Sequence, residues 1–339
     1  MSNVLSLFDG ISCGMVAFER AGISVSEYHA CEIDKYATTI SQKNYPQIVR
    51  HGSVVDYHPD RHFDYLIGGS PCQGFSFAGK QLALDDPRSR LFLEYVRILG
   101  ECRKINPKIK FLLENVNMKK QHLDVITSML GVQPVKINSA LVSAQNRVRW
   151  YWANFAITQP DDKGLVLRDI IESGAVDREK SYCIDANYHK GGNPKSYFEK
   201  GRRQLVGIAE TDTGLRPYKN DGRKGSFSEI GTISEEHTKV AAVTVAHVPK
   251  ARVLKNLCAL NDKAFSMTAT QHKGMQANGC TVITDGVTYR KLTVTECERL
   301  QTLPDGYTNG VSNTQRYKAL GNGWTVDVIA HILEGASDV

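Results

Sequence analysis

The residues best equipped for chemistry fall in a few short stretches. Gly68-Gly69-Ser70-Pro71-Cys72-Gln73-Gly74-Phe75-Ser76 follows the apolar run Tyr65-Leu66-Ile67. A thiolate is a strong nucleophile where it is partly open and its surroundings are electropositive. Proline blocks helix and biases the residue before it to extended geometry, so Cys72 sits on a stiff turn where a buried strand ends. An isolated cysteine is more often a small buried hydrophobe. Here the flanking glycines argue for a backbone that a ligand approaches closely. Phe111-Leu112-Leu113 reads as a second buried strand, ending in Glu114-Asn115-Val116. A glutamate at such a tip suits acid–base work, although an exposed loop acid is its plainer reading when taken alone. Gln145-Asn146-Arg147-Val148-Arg149 leads into Trp150-Tyr151-Trp152. Alternate strand residues share a face, so Arg147 and Arg149 project together. The aromatic run favours an inward face, where arginines would hold carboxylates and a polar base.

The elements that position these groups read as alternating strands and helices. Val4-Leu5-Ser6-Leu7-Phe8 is a buried strand, Asp9-Gly10-Ile11-Ser12-Cys13-Gly14 a turn, and Met15 to Arg20 an amphipathic helix. Strand, glycine turn and helix receive nucleotide-like cofactors, although the spacing is not GxGxxG and the segment alone is weak evidence. A second strand, Glu27 to Cys31, ends in Glu32-Ile33-Asp34. Glu32 is placed to bind ribose hydroxyls, or else to cap the helix that begins near Lys35. Asp56 follows Gly52-Ser53-Val54-Val55, where a carboxylate could accept from an adenine amino group. Gly, Glu and Asp at three successive strand tips favour an adenosine-containing ligand.

The 339 residues allow one large domain and a smaller one. A net charge of +6 permits a polyanionic partner without proving one. The eight cysteines form no CxxC pair and no zinc-like spacing with histidine, so no metal site and a reducing compartment are expected. With no signal-peptide pattern or membrane-length apolar run, a soluble cytoplasmic protein with no membrane partner is expected.

The texture changes near Phe155. Residues 190–224 carry nine basic and four acidic residues, interleaved with Tyr197, Phe198 and Tyr218. A solvated basic face is the default for such a run; its neighbourhood favours phosphate contact. Arg290 to Gln301 reads as a helix, with Thr293 and Glu296 spaced as a capping box. The chain closes on Leu320-Gly321-Asn322-Gly323-Trp324-Thr325-Val326 and an amphipathic helix.

Taken together, FDGISCG, the Glu32 and Asp56 tips, SPCQGFS, ENV, QNRVR, RKLTVTECERLQTLP and GNGWTV resemble the DNA cytosine-5 methyltransferase family, in the family's order. The chain departs from the commonest bacterial pattern at Ser12-Cys13, where Gly-Gly is usual, and at GNGWTV, where GNSV or GNAV is usual. Both variants resemble the branch that contains the mammalian de novo enzymes. The resemblance implies an α/β, Rossmann-like class I methyltransferase fold with a seven-stranded mixed sheet. It assigns residues 1–157 and 318–339 to the catalytic domain. Residues 158–317 become a smaller, irregular target-recognition domain that includes the RKLTVTECERLQ helix.

The same resemblance implies that S-adenosyl-L-methionine gives up its methyl group and leaves as S-adenosyl-L-homocysteine. Cys72 matches the nucleophile that adds to carbon 6 of cytosine. Glu114 matches the carboxyl at ring nitrogen 3, and Arg147 the donor to the base's carbonyl. Arg149 and Gln145 would support Arg147, and Asn115 would hold the turn. Phe8, Asp9, Gly10, Ile11, Glu32, Ile33, Asp56, Tyr57, Ser70, Pro71, Asn322 and Trp324 would contact the cofactor. A stacked base cannot reach Cys72, so the target must be flipped out of the duplex. Residues 73–90 would close as a lid, with Gln73, Ser76, Ala78, Lys80 and Arg88 on DNA, and Thr268, Ala269 and Thr270 would enter the major groove. A monomer acting on double-stranded DNA is expected, with a cognate restriction endonuclease as the implied companion. Two other readings stay open: a tRNA cytosine-5 methyltransferase, against which the long basic insert speaks, and a non-catalytic DNA-binding regulator, against which the intact Cys72, Glu114 and Arg147 speak.

Overall fold

Apolar runs bounded by glycine and polar turns form the strands that the sequence marks out. The computed structural model describes residues 1–70, 87–174, 176–190, 197, 200–209 and 287–337. β1 (Ser2–Leu7), α1 (Cys13–Arg20), β2 (Val25–Cys31), α2 (Lys35–Asn44), β3 (Val49–Arg50) and β4 (Tyr65–Gly69) come first. They are followed by α3 (Pro87–Ile105), β5 (Lys110–Val116), α4 (Lys120–Leu130), β6 (Val135–Asn138) and β7 (Val148–Ala153). The strands form one seven-stranded sheet in the order β3-β2-β1-β4-β5-β7-β6. Pairing is parallel from β3 to β5 and antiparallel where β7 meets β5 and β6. This is the α/β mixed sheet that the resemblance implies.

Parallel strands covered on both faces need apolar residues throughout, and Leu66, Ile67, Phe111, Leu112 and Leu113 are fully buried. On α3, Phe92, Tyr95, Ile98, Leu99 and Cys102 recur at helical spacing and meet Leu5, Leu7, Leu66, Phe111 and Leu113 in one core. A C-terminal helix (Val326–Ser337) buries Val328, Ile329, Ile332 and Leu333 and packs on α1. No helix among the described residues is long and apolar enough to cross a membrane.

The chain divides into two compact units, Met1–Leu165 with Ile184–Lys190 and Cys297–Val339, and Val166–Cys183 with Gly191–Glu296. Residues 158–165, 184–190 and 297–317 fall in the first of these units. Buried polar contacts hold the last of these segments there. The Ser143 hydroxyl and Gln145 amide both donate to the Leu300 carbonyl, at 2.6 and 2.7 Å. The fully buried Glu298 carboxylate accepts from the Gly306 and Thr308 amides and from Arg316. In the second unit, Leu205–Ala209 and Val287–Lys291 pair antiparallel. Arg290 and Lys291 thus end a strand, and the expected helix starts later, at Val294. Its capping box forms: Thr293 N–H donates to Glu296 Oε2 at 2.8 Å, and Glu296 N–H to Thr293 Oγ1 at 3.1 Å.

Helix Asn313–Asn322 crosses residues 185 and 186 with no gap. A Cβ added at Gly321 would overlap the backbone of Asp185 and Ala186. Gly321→Ala is expected to cost roughly 1–3 kcal/mol, read as a lower urea midpoint. An unchanged midpoint would show that this crossing yields freely.

Candidate active site

The carboxyl ends of β1, β2 and β4 open on a cavity of about 450 Å³, a size suited to a small organic ligand. Its floor is the turn after β1. Two residues there, Phe8 at φ 58° and Ser12 at φ 60°, adopt left-handed backbone that side chains seldom take. Hydrogen bonds hold Ser12 in place. Its hydroxyl donates to Asp9 Oδ2 at 2.5 Å, and Tyr28 donates to Asp9 Oδ1 at 2.8 Å. Ser12 Oγ also lies 2.6 Å from Ser41 Oγ, to which Arg50 donates at 2.9 Å. A hydroxyl has one proton, so the chain runs Arg50 to Ser41 to Ser12 to Asp9. Asp9 lines the cavity, yet both its oxygens serve the turn. Burial, only partly offset by the bonds from Ser12, Ser6 and Tyr28, raises its carboxyl above the ordinary value.

Glu32 ties the second strand tip to this floor. Its Oε2 accepts from Gly10 N–H at 2.8 Å, and its Oε1 from the amides of Ile33 and Asp34 at 2.8 and 2.7 Å. A carboxylate has about four acceptor positions, so one remains for a ligand. Capping of α2 falls to Asp34, which accepts from Tyr36 and Ala37 and from Lys318 at 2.7 Å. Beside Glu32, Ile33 is 80% exposed at the cavity edge, an apolar surface without cover.

Gly52, Ser53 and Val54 form another wall. Arg97 of α3 fixes it, donating to the Val54 and Tyr57 carbonyls at 3.0 and 2.9 Å while pairing with Glu94 and Glu101. The glutamates at helical spacing were readable in the sequence; the carbonyl contacts were not. Asp56 is exposed and Tyr57 is buried in the core, and neither lines the cavity.

Parallel pairing sets Gly69 opposite Glu114. Glu114 is 9% exposed. Arg149 Nε lies 2.9 Å from its Oε1, and Trp324 donates its indole N–H to Oε2 at 3.1 Å. Next to it, Asn115 donates to the Ser70 hydroxyl at 3.1 Å, tying the end of β5 to the segment that leads to Cys72.

The two arginines divide their work differently from the expectation. Arg147 precedes β7, and its guanidinium donates to carbonyls of Gly323 at 2.8 Å, Ile184 at 3.2 Å and Gly321 at 3.4 Å. It is Arg149, on β7 opposite Val116, that meets the carboxylate. Both line the cavity, so both do face inward. Gln145 lies away from the cavity and binds Gln301 Oε1 at 3.0 Å. Gln301 in turn donates to Leu320 and Gly323 carbonyls and accepts from Thr325. This buried brace supports the segment that carries Asn322 and Trp324, and sequence motifs gave no sign of it.

Cys13 and Cys31 also line the cavity, and burial pushes both thiols up to about 12. They stay protonated at neutral pH and are poor nucleophiles. Pro71, Cys72, Gln73, Ser76, Ala78, Lys80 and Thr268, Ala269 and Thr270 lie outside the described residues; Arg88 falls in the first turn of α3. Among the described residues, no group of three His, Cys, Asp or Glu is placed to hold a metal.

A carboxyl with a raised folded value favours the folded state most when it is protonated. For Asp9 that contribution is complete below the unfolded value near 3.8 and is lost as pH rises through the folded one. Urea midpoints from pH 4 upward are therefore expected to fall relative to those of Asp9→Asn. Parallel curves would refute the assignment.

The C-5 cytosine-specific DNA methylase family model matches residues 2–337. The chain is 25% identical to the type II methyltransferase M.BanI of Aneurinibacillus aneurinilyticus, over 97% of this chain and 94% of that one. It is 34% identical to the orphan methyltransferase M.SPRI of Bacillus phage SPR, over 80% of this chain and 64% of that one. Among solved structures, DNMT2 of Spodoptera frugiperda shares the fold at a TM-score of 0.61 and 17% identity, covering 98% of each chain. A family match across nearly the whole length, on a chain whose sheet ends in this cavity, makes it a member of the C-5 cytosine-specific DNA methylase family.

Proposed function

We propose that this DNA cytosine-5 methyltransferase acts through a covalent adduct of Cys72 on a cytosine flipped out of a short duplex site. The observation that carries the reading is Glu114, held by Arg149 and Trp324 opposite Gly69, three residues before Cys72. Carbon 5 of cytosine is too poor a nucleophile to attack a methyl sulfonium unaided. Addition of the Cys72 thiolate to carbon 6 makes the ring an enamine, and carbon 5 then attacks. Glu114 protonates or hydrogen-bonds ring nitrogen 3 as charge develops there, and Arg149 holds that carboxyl while facing the base. Loss of the carbon 5 proton then expels Cys72.

The cavity fits S-adenosylmethionine, which supplies the electrophilic methyl group. The remaining acceptor of Glu32 suits a ribose hydroxyl, Ile33 offers an apolar face to a purine, and Asn322 and Trp324 form the opposite wall. Asp56 and Tyr57 contribute through the wall that Arg97 fixes rather than by lining the cavity. Gln73, Ser76, Ala78, Lys80 and Arg88 are assigned to DNA contact, with Lys80 and Arg88 on phosphates. The second unit recognises the target, with Thr268 to Thr270 in the major groove. Type II relatives make protection against a cognate endonuclease the fitting role.

Bisulfite sequencing of DNA from a methylation-free bacterial host expressing the protein tests this reading. Protected cytosines within one short site, absent with Cys72→Ser, are expected; no protection by folded protein would refute it, and tRNA would be assayed next. The two arginines should separate in the same assay. Arg149→Met is expected to lower kcat by about 10²-fold or more with little change in Tm. Arg147→Met, which leaves buried carbonyls unpaired, is expected to cost about 1–3 kcal/mol of stability. Equal effects on both measurements would erase the distinction.

A further inference from the structure

We propose that Trp324 is a positioning residue for the Glu114 carboxyl, and that it couples an occupied cofactor cavity to a base site set for reaction. This rests on the reading that Glu114 engages the target base. The indole N–H reaches Glu114 Oε2 across 210 positions of sequence, at 3.1 Å. Indole nitrogen donates and never accepts, so it can hold a carboxyl oxygen without competing for the amino group of a base. With the Arg149 charge 2.9 Å from Oε1, the indole N–H supplies the directional hydrogen bond on Oε2.

Three features make this contact rigid. A Cβ at Gly69 would lie 2.8 Å from Trp324 Nε1 and 2.9 Å from Glu114 Oε2, so the strand end has been cleared of a side chain where indole and carboxyl meet. The backbone on either side of Trp324 is anchored, since Arg147 and Gln301 both donate to the Gly323 carbonyl and Thr325 donates to Gln301. Trp324 also lines the same cavity as Glu32 and Ile33. A ligand seated there packs against the indole and leaves it no room to swing off Glu114. Pre-set donors of this kind contribute to rate because nothing must reorganise when charge shifts. Valine, the residue opposite Trp324 when GNGW is set against GNSV or GNAV, has no N–H to give Glu114.

The test compares Trp324→Phe, which keeps an aromatic ring and removes the donor, with Trp324→His, whose Nε2–H can occupy the position of the indole nitrogen. Methyl transfer to unmethylated plasmid DNA gives kcat and KM, and titration calorimetry with S-adenosylhomocysteine reports the cavity. Trp324→Phe is expected to lose tenfold or more in kcat with S-adenosylhomocysteine affinity within threefold of the parent enzyme. Trp324→His should recover most of the lost rate. Full activity of Trp324→Phe, equal impairment of both variants, or a loss that lies wholly in S-adenosylhomocysteine affinity would each overturn the proposal. Glu114→Gln serves as the reference. If it is as active as the parent, the reading of Glu114 falls and this proposal with it. If it is inactive while Trp324→Phe is not, only the proposal falls.

Discussion

A carboxylate buried at the end of a strand must find donors, because removing an unpaired charge from water costs several kcal/mol. Glu114 meets that requirement with the hydrogen bond from Trp324, at the far end of the chain, and with the charge of Arg149 2.9 Å away on the neighbouring antiparallel strand. Much of the first unit can be understood from this constraint. It requires β7 to lie beside β5, so that Arg149 projects beside Glu114. It requires the Gly321-to-Thr325 segment to return to the sheet, which Arg147, Gln145 and Gln301 secure through buried hydrogen bonds. And it requires a residue without a side chain at Gly69.

The cavity floor is built on a different balance. Ser12 takes backbone geometry that glycine would adopt at less cost, and the bonds to Asp9 and Ser41 offset that cost. In return the Asp9 carboxyl, half-buried at the cavity floor, is raised. Both oxygens of the acid on the cavity floor are thereby engaged by protein hydroxyls, whereas Glu32 keeps one acceptor position open at the cavity. The two thiols nearby, Cys13 and Cys31, are silenced by burial.

The buried Arg290–Glu296 pair and its capping box give the second unit one firm corner next to the helix that re-enters the first.

What the sequence determined by itself was local. Apolar runs ending in Gly, Glu, Cys and Glu marked the strands and their tips, and capping at Thr293 was legible because both partners lie within one helical turn. The order of the motifs identified the family. What only the tertiary structure decided was which side chain meets which across long separations. Nothing in QNRVR says that Arg147 turns to the Gly323 carbonyl and Arg149 to Glu114, because both lie on one face and the choice depends on how the terminal segment packs. Nothing in LEYVR says that Arg97 secures the wall at Val54 and Tyr57. The same holds for the Leu300 carbonyl, which accepts from Ser143 and Gln145: such pairings, set by close packing between distant segments, leave no period or spacing in the sequence.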